Sequence, residues 1–143
     1  MLHILLIEDN PADAQVLEMA LRRAGVPVDL HLLSDGEEAV EYLTGSGRPS
    51  CDLVLLDLNL PKLSGFEVLS QIKSHEHLKD LPVVVMSGSA NAEDVERCYR
   101  GGASSYICKR SRLQEILDST AKFAAYWANC VELPSRGNGV LRH

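Results

Sequence analysis

Short apolar runs recur along this chain, separated by stretches whose apolar residues return at helical spacing, and that alternation leaves few folds open. Repeated strand-helix units of this kind build a parallel sheet with helices packed on it. Four of the runs end at a residue able to do chemistry. Ile4 to Ile7 meets Glu8-Asp9, Leu53 to Leu56 meets Asp57, Val83 to Met86 meets Ser87, and Tyr106 to Cys108 meets Lys109. Parallel strands place their carboxyl ends on one edge, where doubly wound sheets bind ligands. Three carboxylates, a hydroxyl and an ammonium are thereby expected in one crevice.

The period change sets the elements. Strands are expected near 2 to 7, 28 to 33, 52 to 57, 82 to 87 and 104 to 108. Between the first two, Ala14, Val16, Leu17, Ala20, Leu21 and Ala24 form an amphipathic stripe, with Pro11 suited to the first turn and Gly25 to the residue beyond the end. Ser34-x-x-Glu37, Ser64-x-x-Glu67 and Ser111-x-x-Gln114 match the capping box, Asn91 suits a further cap, and Gly101-Gly102 a stop. Five such units predict an α/β protein, a doubly wound five-stranded parallel sheet with helices on both faces. The third and fourth strands are apolar throughout, as strands buried on both sides should be.

At 143 residues one domain is expected, over 1–132, with a flexible tail over 133–143. A net charge of −6 argues against attraction to nucleic acid or an anionic membrane. Met1-Leu2-His3 enters a strand-like run directly and no apolar stretch reaches the ~20 residues of a membrane span, so a cytoplasmic protein is expected. Cys51, Cys98, Cys108 and Cys130 form no C-x-x-C pair and read as reduced structural thiols. His75-Glu76-His77 lacks a third ligand and reads as a solvated loop.

Crowding Glu8, Asp9 and Asp57 is costly unless a cation or a raised pKa relieves the repulsion. Mg²⁺ suits an all-oxygen site of one or two carboxylates plus a phosphate. A cation there would let Asp57 act as a nucleophile toward a phosphoryl group, with Lys109 and the Ser87 hydroxyl contacting its oxygens. Each residue alone has a plainer reading. Asp9 before Asn10-Pro11 suits a helix cap, Ser87-Gly88-Ser89 an ordinary loop, Lys109 a solvated charge. Asp57 precedes Leu58-Asn59-Leu60-Pro61 rather than a helix start, so capping gives it no partner.

Together, Ile4 to Asp9 with Pro11, Leu53 to Pro61 with Gly65, Pro82 to Ser87 and Tyr106 to Lys109 resemble the receiver domain of two-component response regulators, over roughly residues 2 to 130. The resemblance implies the flavodoxin-like fold and phosphorylation of Asp57 by a phosphohistidine on a sensor histidine kinase. It also implies Mg²⁺ held by Glu8, Asp9, Asp57 and the Asn59 carbonyl, and phosphoryl contacts from Ser87 and Lys109. Tyr106 resembles the family's switch aromatic, which turns inward as Ser87 is drawn to the phosphoryl group. Two departures stand out. Lys109 is followed by Arg110 where the family usually has proline, often after a cis peptide, and Glu8 stands where aspartate is commoner.

From Ser111 to about Cys130 the apolar residues keep helical spacing, which predicts one long helix. Phe123, Tyr126 and Trp127 are expected at its far end. This end is similar to that of small single-domain regulators paired with bacterial phytochromes, which implies a bacteriophytochrome as the kinase and a homodimer formed through those three residues. The plainer alternative has Trp127 closing the chain's own core. Output is then expected through protein-protein contact or a phosphorelay. Two competitors share the chemistry. A haloacid-dehalogenase-like phosphatase needs a second acid two residues after the nucleophile, where this chain has Asn59. The other is a receiver-like interaction module that is never phosphorylated.

Overall fold

The computed structural model describes residues 1–45, 51–109 and 112–134. Its sheet has five parallel strands: β1 Leu2–Ile7, β2 Val28–Leu33, β3 Leu53–Asp57, β4 Val83–Ser87 and β5 Ser105–Cys108. The spatial order is β2-β1-β3-β4-β5, so the chain reverses its direction of travel across the sheet after β2, next to β1 and β3. That switch point is where a crevice opens beyond the strand ends. The helices are α1 Pro11–Arg23, α2 Gly36–Thr44, α3 Gly65–Ser74, α4 Ala92–Arg100 and α5 Leu113–Ala125, the last continuing into a π-helical turn, Tyr126–Cys130.

Strand side chains alternate between two cores. Leu5, Ile7, Val54, Leu56, Val83 and Val85 pack on one face against Ala39 and Leu43 of α2, Val68, Leu69 and Ile72 of α3, and Cys98 of α4. Ile4, Leu6, Leu53, Leu55, Val84 and Met86 pack on the other against Leu17 and Leu21 of α1 and Phe123 and Ala124 of α5. Every residue of β3 and β4 is buried, including the polar ones that end them, Asp57 and Ser87.

Local signals explain most helix ends. Asn10 caps α1 by accepting from the amides of Ala12 and Asp13, and Gly25 follows the end at φ +75°, where only glycine is unstrained. Ser64 and Glu67 form the reciprocal capping box of α3, and Asn91 caps α4. The expected Ser34 box is corrected. Asp35 caps α2: one of its carboxylate oxygens accepts from the Glu38 amide while the other pairs with Lys62 at 3.6 Å, which a serine hydroxyl could not do. Ser111 lies outside the described residues, and α5 starts with Arg112 at the cap and no side-chain bond to it. Three strands begin one residue later than expected. Pro82 has no amide to donate, and Asp52 instead exchanges hydrogen bonds with His3.

Leu133, expected to begin a frayed tail, is buried against the α1–α5 core with Val131 beside it. Phe123 is also corrected. Its ring is buried in the chain's own core, so it offers no surface to a partner, whereas Tyr126 is exposed and Trp127 half-buried against that core. Residues 135–143 of the expected tail lie outside the described residues. His75-Glu76-His77 forms a polar turn, the four cysteines are free, and among the described residues no helix is long and apolar enough to cross a membrane.

Candidate functional site: the acidic crevice at the switch point

Parallel pairing brings the ends of β1, β3, β4 and β5 to one edge, with Ile7 opposite Leu56, Asp57 opposite Met86 and Ser87 opposite Cys108. Glu8, Asp9 and Asp57 each present a carboxylate oxygen there, all within 4.8 Å of one another. Glu8 and Asp57 are buried and Asp9 is exposed. Among the described residues no other group of three or more histidines, cysteines or acids is arranged to hold a metal.

Each carboxylate is placed by its backbone. Glu8 continues β1, its amide donating to the Leu33 carbonyl of β2, and its Oε2 accepts from the Asn10 amide at 3.2 Å. Asp57 Oδ1 accepts a long 3.4 Å bond from the Asn59 amide. The loop after Asp57 lies flat on α3 because residue 65 is glycine. A Cβ there would run into the Asp57 carbonyl oxygen, and the Gly65 amide donates to Leu58.

Lys109 reaches the same point from β5. Its amide donates to the Ser87 carbonyl at 2.7 Å, and its Nζ lies 2.6 Å from Glu8 Oε1, 3.1 Å from Asp13 Oδ2 and 3.8 Å from Asp57 Oδ1. One ammonium thus faces three carboxylates, and Asp9 adds a fourth to the crevice. Burial pulls the Lys109 pKa down, but the Glu8 hydrogen bond, the charges of Asp57 and Glu8 and the Asp13 hydrogen bond outweigh it and hold the ammonium charged. Asp57 shows the opposite balance. Burial, then the hydrogen bond and charge of Glu8, push its carboxyl up to about 7 against the pull of Lys109 and the Asn59 amide. A carboxylate in that state lacks enough positive charge around it. A divalent ion among Glu8, Asp9 and Asp57 would supply what is missing, and their all-oxygen donor set fits Mg²⁺ or Mn²⁺. The peptide after Lys109 falls outside the described residues, so its isomer does too.

Ser87 is fully buried, and its Oγ accepts from the Ser89 amide at 3.1 Å, which leaves its own proton free to donate. The Ser89 carbonyl accepts from the Tyr106 hydroxyl at 2.8 Å, and its Oγ donates to Asp94 of α4 at 2.9 Å. The Tyr106 amide in turn donates to the Tyr99 hydroxyl of α4 at 3.2 Å. Hydrogen bonds therefore run without a gap from Ser87 to the surface of α4. Asn59 is exposed beside the crevice. Asp13, Ser89, Asp94 and Tyr99 were not singled out by sequence reasoning. Asp13 had one usable signal, an acid in the first turn of a helix that starts at the crevice.

Residues 4–121 match the family model described as the response regulator receiver domain. The chain belongs to that family. It is 40% identical over 127 residues to a probable methanogenesis regulatory protein, FilR2, of Methanothrix harundinacea, covering 87% of this chain and 82% of that protein. It is 36% identical over 136 residues to the response regulator Rcp1 of Synechocystis, covering 92% of each. The crystal structure of Mn²⁺-bound Rcp1 superposes with a TM-score of 0.87 over 94% of this chain and all of that one, at 34% identity. That of the phosphorylated cyanobacterial phytochrome response regulator RcpA does so at 0.85, over 93% and 98%, at 38% identity. The doubly wound five-stranded sheet expected from the strand-helix alternation and the receiver fold implied by the resemblance are thus the fold found, and two-component signalling is the function class of the chain.

Proposed function

We propose that this protein is a phosphorylation switch in which Asp57 accepts a phosphoryl group from the phosphohistidine of a sensor histidine kinase. The observation that carries this reading is the placement of Asp57, buried beside Glu8 and Asp9 with the Lys109 ammonium 3.8 Å away. An Asp57 oxygen attacks phosphorus, the bond from phosphorus to the histidine nitrogen breaks, and the electron pair stays on the departing imidazole. The product is an acyl phosphate. Lys109 pairs with a phosphoryl oxygen as a point charge, and the free Ser87 proton donates to another. Mg²⁺, held by Glu8, Asp9, Asp57 and the Asn59 carbonyl, would neutralise charge on the incoming phosphoryl group.

The likeness to RcpA, a phytochrome response regulator, supports a bacteriophytochrome as the kinase that phosphorylates this chain. Signalling then proceeds by protein-protein contact. Exposed Tyr126, stacked edge-on against half-buried Trp127 at 5.5 Å, supports a homodimer contact at the end of α5. Tyr126→Ala with Trp127→Ala should lower the sedimentation coefficient of such a dimer to that of a monomer.

Incubation with acetyl phosphate and Mg²⁺, followed by intact mass, tests the reading. One phosphoryl adduct per chain is expected, not formed when a chelator is present from the start and absent in Asp57→Asn. Steady release of phosphate over many turnovers would favour a phosphatase, and no adduct would favour an interaction module that is never phosphorylated.

A further inference from the structure

Lys109 has three carboxylate partners, and two of them, Glu8 and Asp57, belong to the cluster suited to a divalent ion. Asp13 is the third and stands outside that cluster. It sits in the first turn of α1, where its charge is favoured by the helix dipole, and its side chain is about half exposed. Its amide donates to the Asn10 side chain, and the Asn10 amide donates to Glu8, so Asp13 and Glu8 are tied to one short stretch of backbone. The Lys109 side chain is only 20% exposed and its ammonium is held from two sides.

A cation in the crevice changes the competition for Lys109. Oxygens of Glu8 and Asp57 that coordinate an ion have less charge to offer an ammonium, and the ion repels the ammonium as well. The one strong partner left in place is Asp13. We propose that Asp13 is a positioning residue: it keeps the Lys109 ammonium at the crevice mouth while Glu8 and Asp57 turn to the metal, so that the lysine is in place for the phosphoryl oxygens. This inference rests on the phosphoacceptor reading, and it assigns a role to a residue outside the metal and phosphoryl contacts. Without Asp13 the ammonium either swings into solvent or falls back on Glu8 against the metal. Both outcomes slow phosphoryl acceptance.

The test is a double-mutant cycle over Asp13→Ala and Lys109→Ala, read by the rate of adduct formation from acetyl phosphate at saturating Mg²⁺. A half-exposed charged hydrogen bond is worth a factor of roughly three to ten. Asp13→Ala should slow the adduct by that factor in the parent and by less than twofold in Lys109→Ala, with Asp13→Glu restoring most of the rate. An equal loss in both backgrounds, or no loss in either, overturns the proposal. A second readout is independent of phosphorylation. The Lys109 side-chain ammonium should give a slowly exchanging ¹⁵N-detected signal in the Mg²⁺-loaded parent that Asp13→Ala abolishes and Asp13→Glu retains. Persistence of that signal in Asp13→Ala overturns the positioning role. If the parent forms no adduct while the signal behaves as stated, the phosphoacceptor reading fails and the anchoring of Lys109 stands.

Discussion

Leu56 and Asp57 are consecutive residues of β3, both buried, and they belong to opposite regimes. Leu56 lies among Leu5, Ile7, Val54 and Val85 in an apolar core where each neighbour stabilises the next. Asp57 lies among Glu8, Asp9 and one shared ammonium, where burial and the neighbouring Glu8 carboxylate disfavour its ionised form. The strand carries the same backbone pairing through both, with Leu56 and Asp57 registered against Val85 and Met86 of β4. Stability is therefore made along the strand and offset at its end. That gradient lets a small domain hold the Asp57 carboxyl up at about 7, a state that the proposed cation would relieve.

The largest effect expected from the core side is Leu55→Ala. Leu55 is 1% exposed between α1 and α5, and its truncation should cost about 2–5 kcal/mol, measured as a shift in the urea midpoint. A loss under 1 kcal/mol would mean that the two regions are less distinct than described.

The crevice should respond with the opposite sign. Asp57 binds its proton more tightly folded, about 7, than at its ordinary 3.8, so metal-free stability should fall as pH rises from about 4 to about 7 and then level off. Mg²⁺ favours the ionised form and should flatten that fall. Asp57→Asn removes the titration, so it should raise the melting temperature of the metal-free protein at pH 8 and much less at pH 4. A gain at pH 4 as large as at pH 8 would contradict this balance.

Smaller effects sharpen the picture away from the crevice. Ser64→Ala removes the capping box of α3 and should cost about 1 kcal/mol without altering adduct formation. Ser89→Ala keeps the backbone bonds to Ser87 and Tyr106 but loses both bonds of the hydroxyl, the one it donates to Asp94 and the one it accepts from the Asn91 amide. It should speed amide exchange in α4 about tenfold or more, the worth of one charged and one neutral hydrogen bond, and leave β4 protected. Equal acceleration in both elements would show that Ser89 serves the strand rather than the helix.

Much of this was legible in the sequence because two periods and a handful of end signals govern it. The five strands, the placement of α1 by Pro11 and Gly25, and the convergence of Glu8, Asp9, Asp57 and Lys109 all follow from local pattern plus the geometry of parallel sheets. What was missed depends on contacts between segments. Ser34 and Asp35 are equally good caps, each with a glutamate three residues on, and the ion pair of Asp35 with Lys62 is a contact that local pattern does not show. Asp13 reads as a solvated acid on a helix until β5 delivers Lys109 from 96 residues away. Phe123 and Leu133 read as an exposed end until the α1–α5 core is seen to extend that far.

The central claim is that acids at positions 8, 9 and 57 serve one ion, and calorimetric titration of the protein with Mg²⁺ tests it most directly. One site per chain is predicted, weakened about tenfold or more in each of Glu8→Gln, Asp9→Asn and Asp57→Asn, since each removes a full charge from the same cluster. Unchanged affinity in any one of the three, or no binding in the parent, would contradict the account.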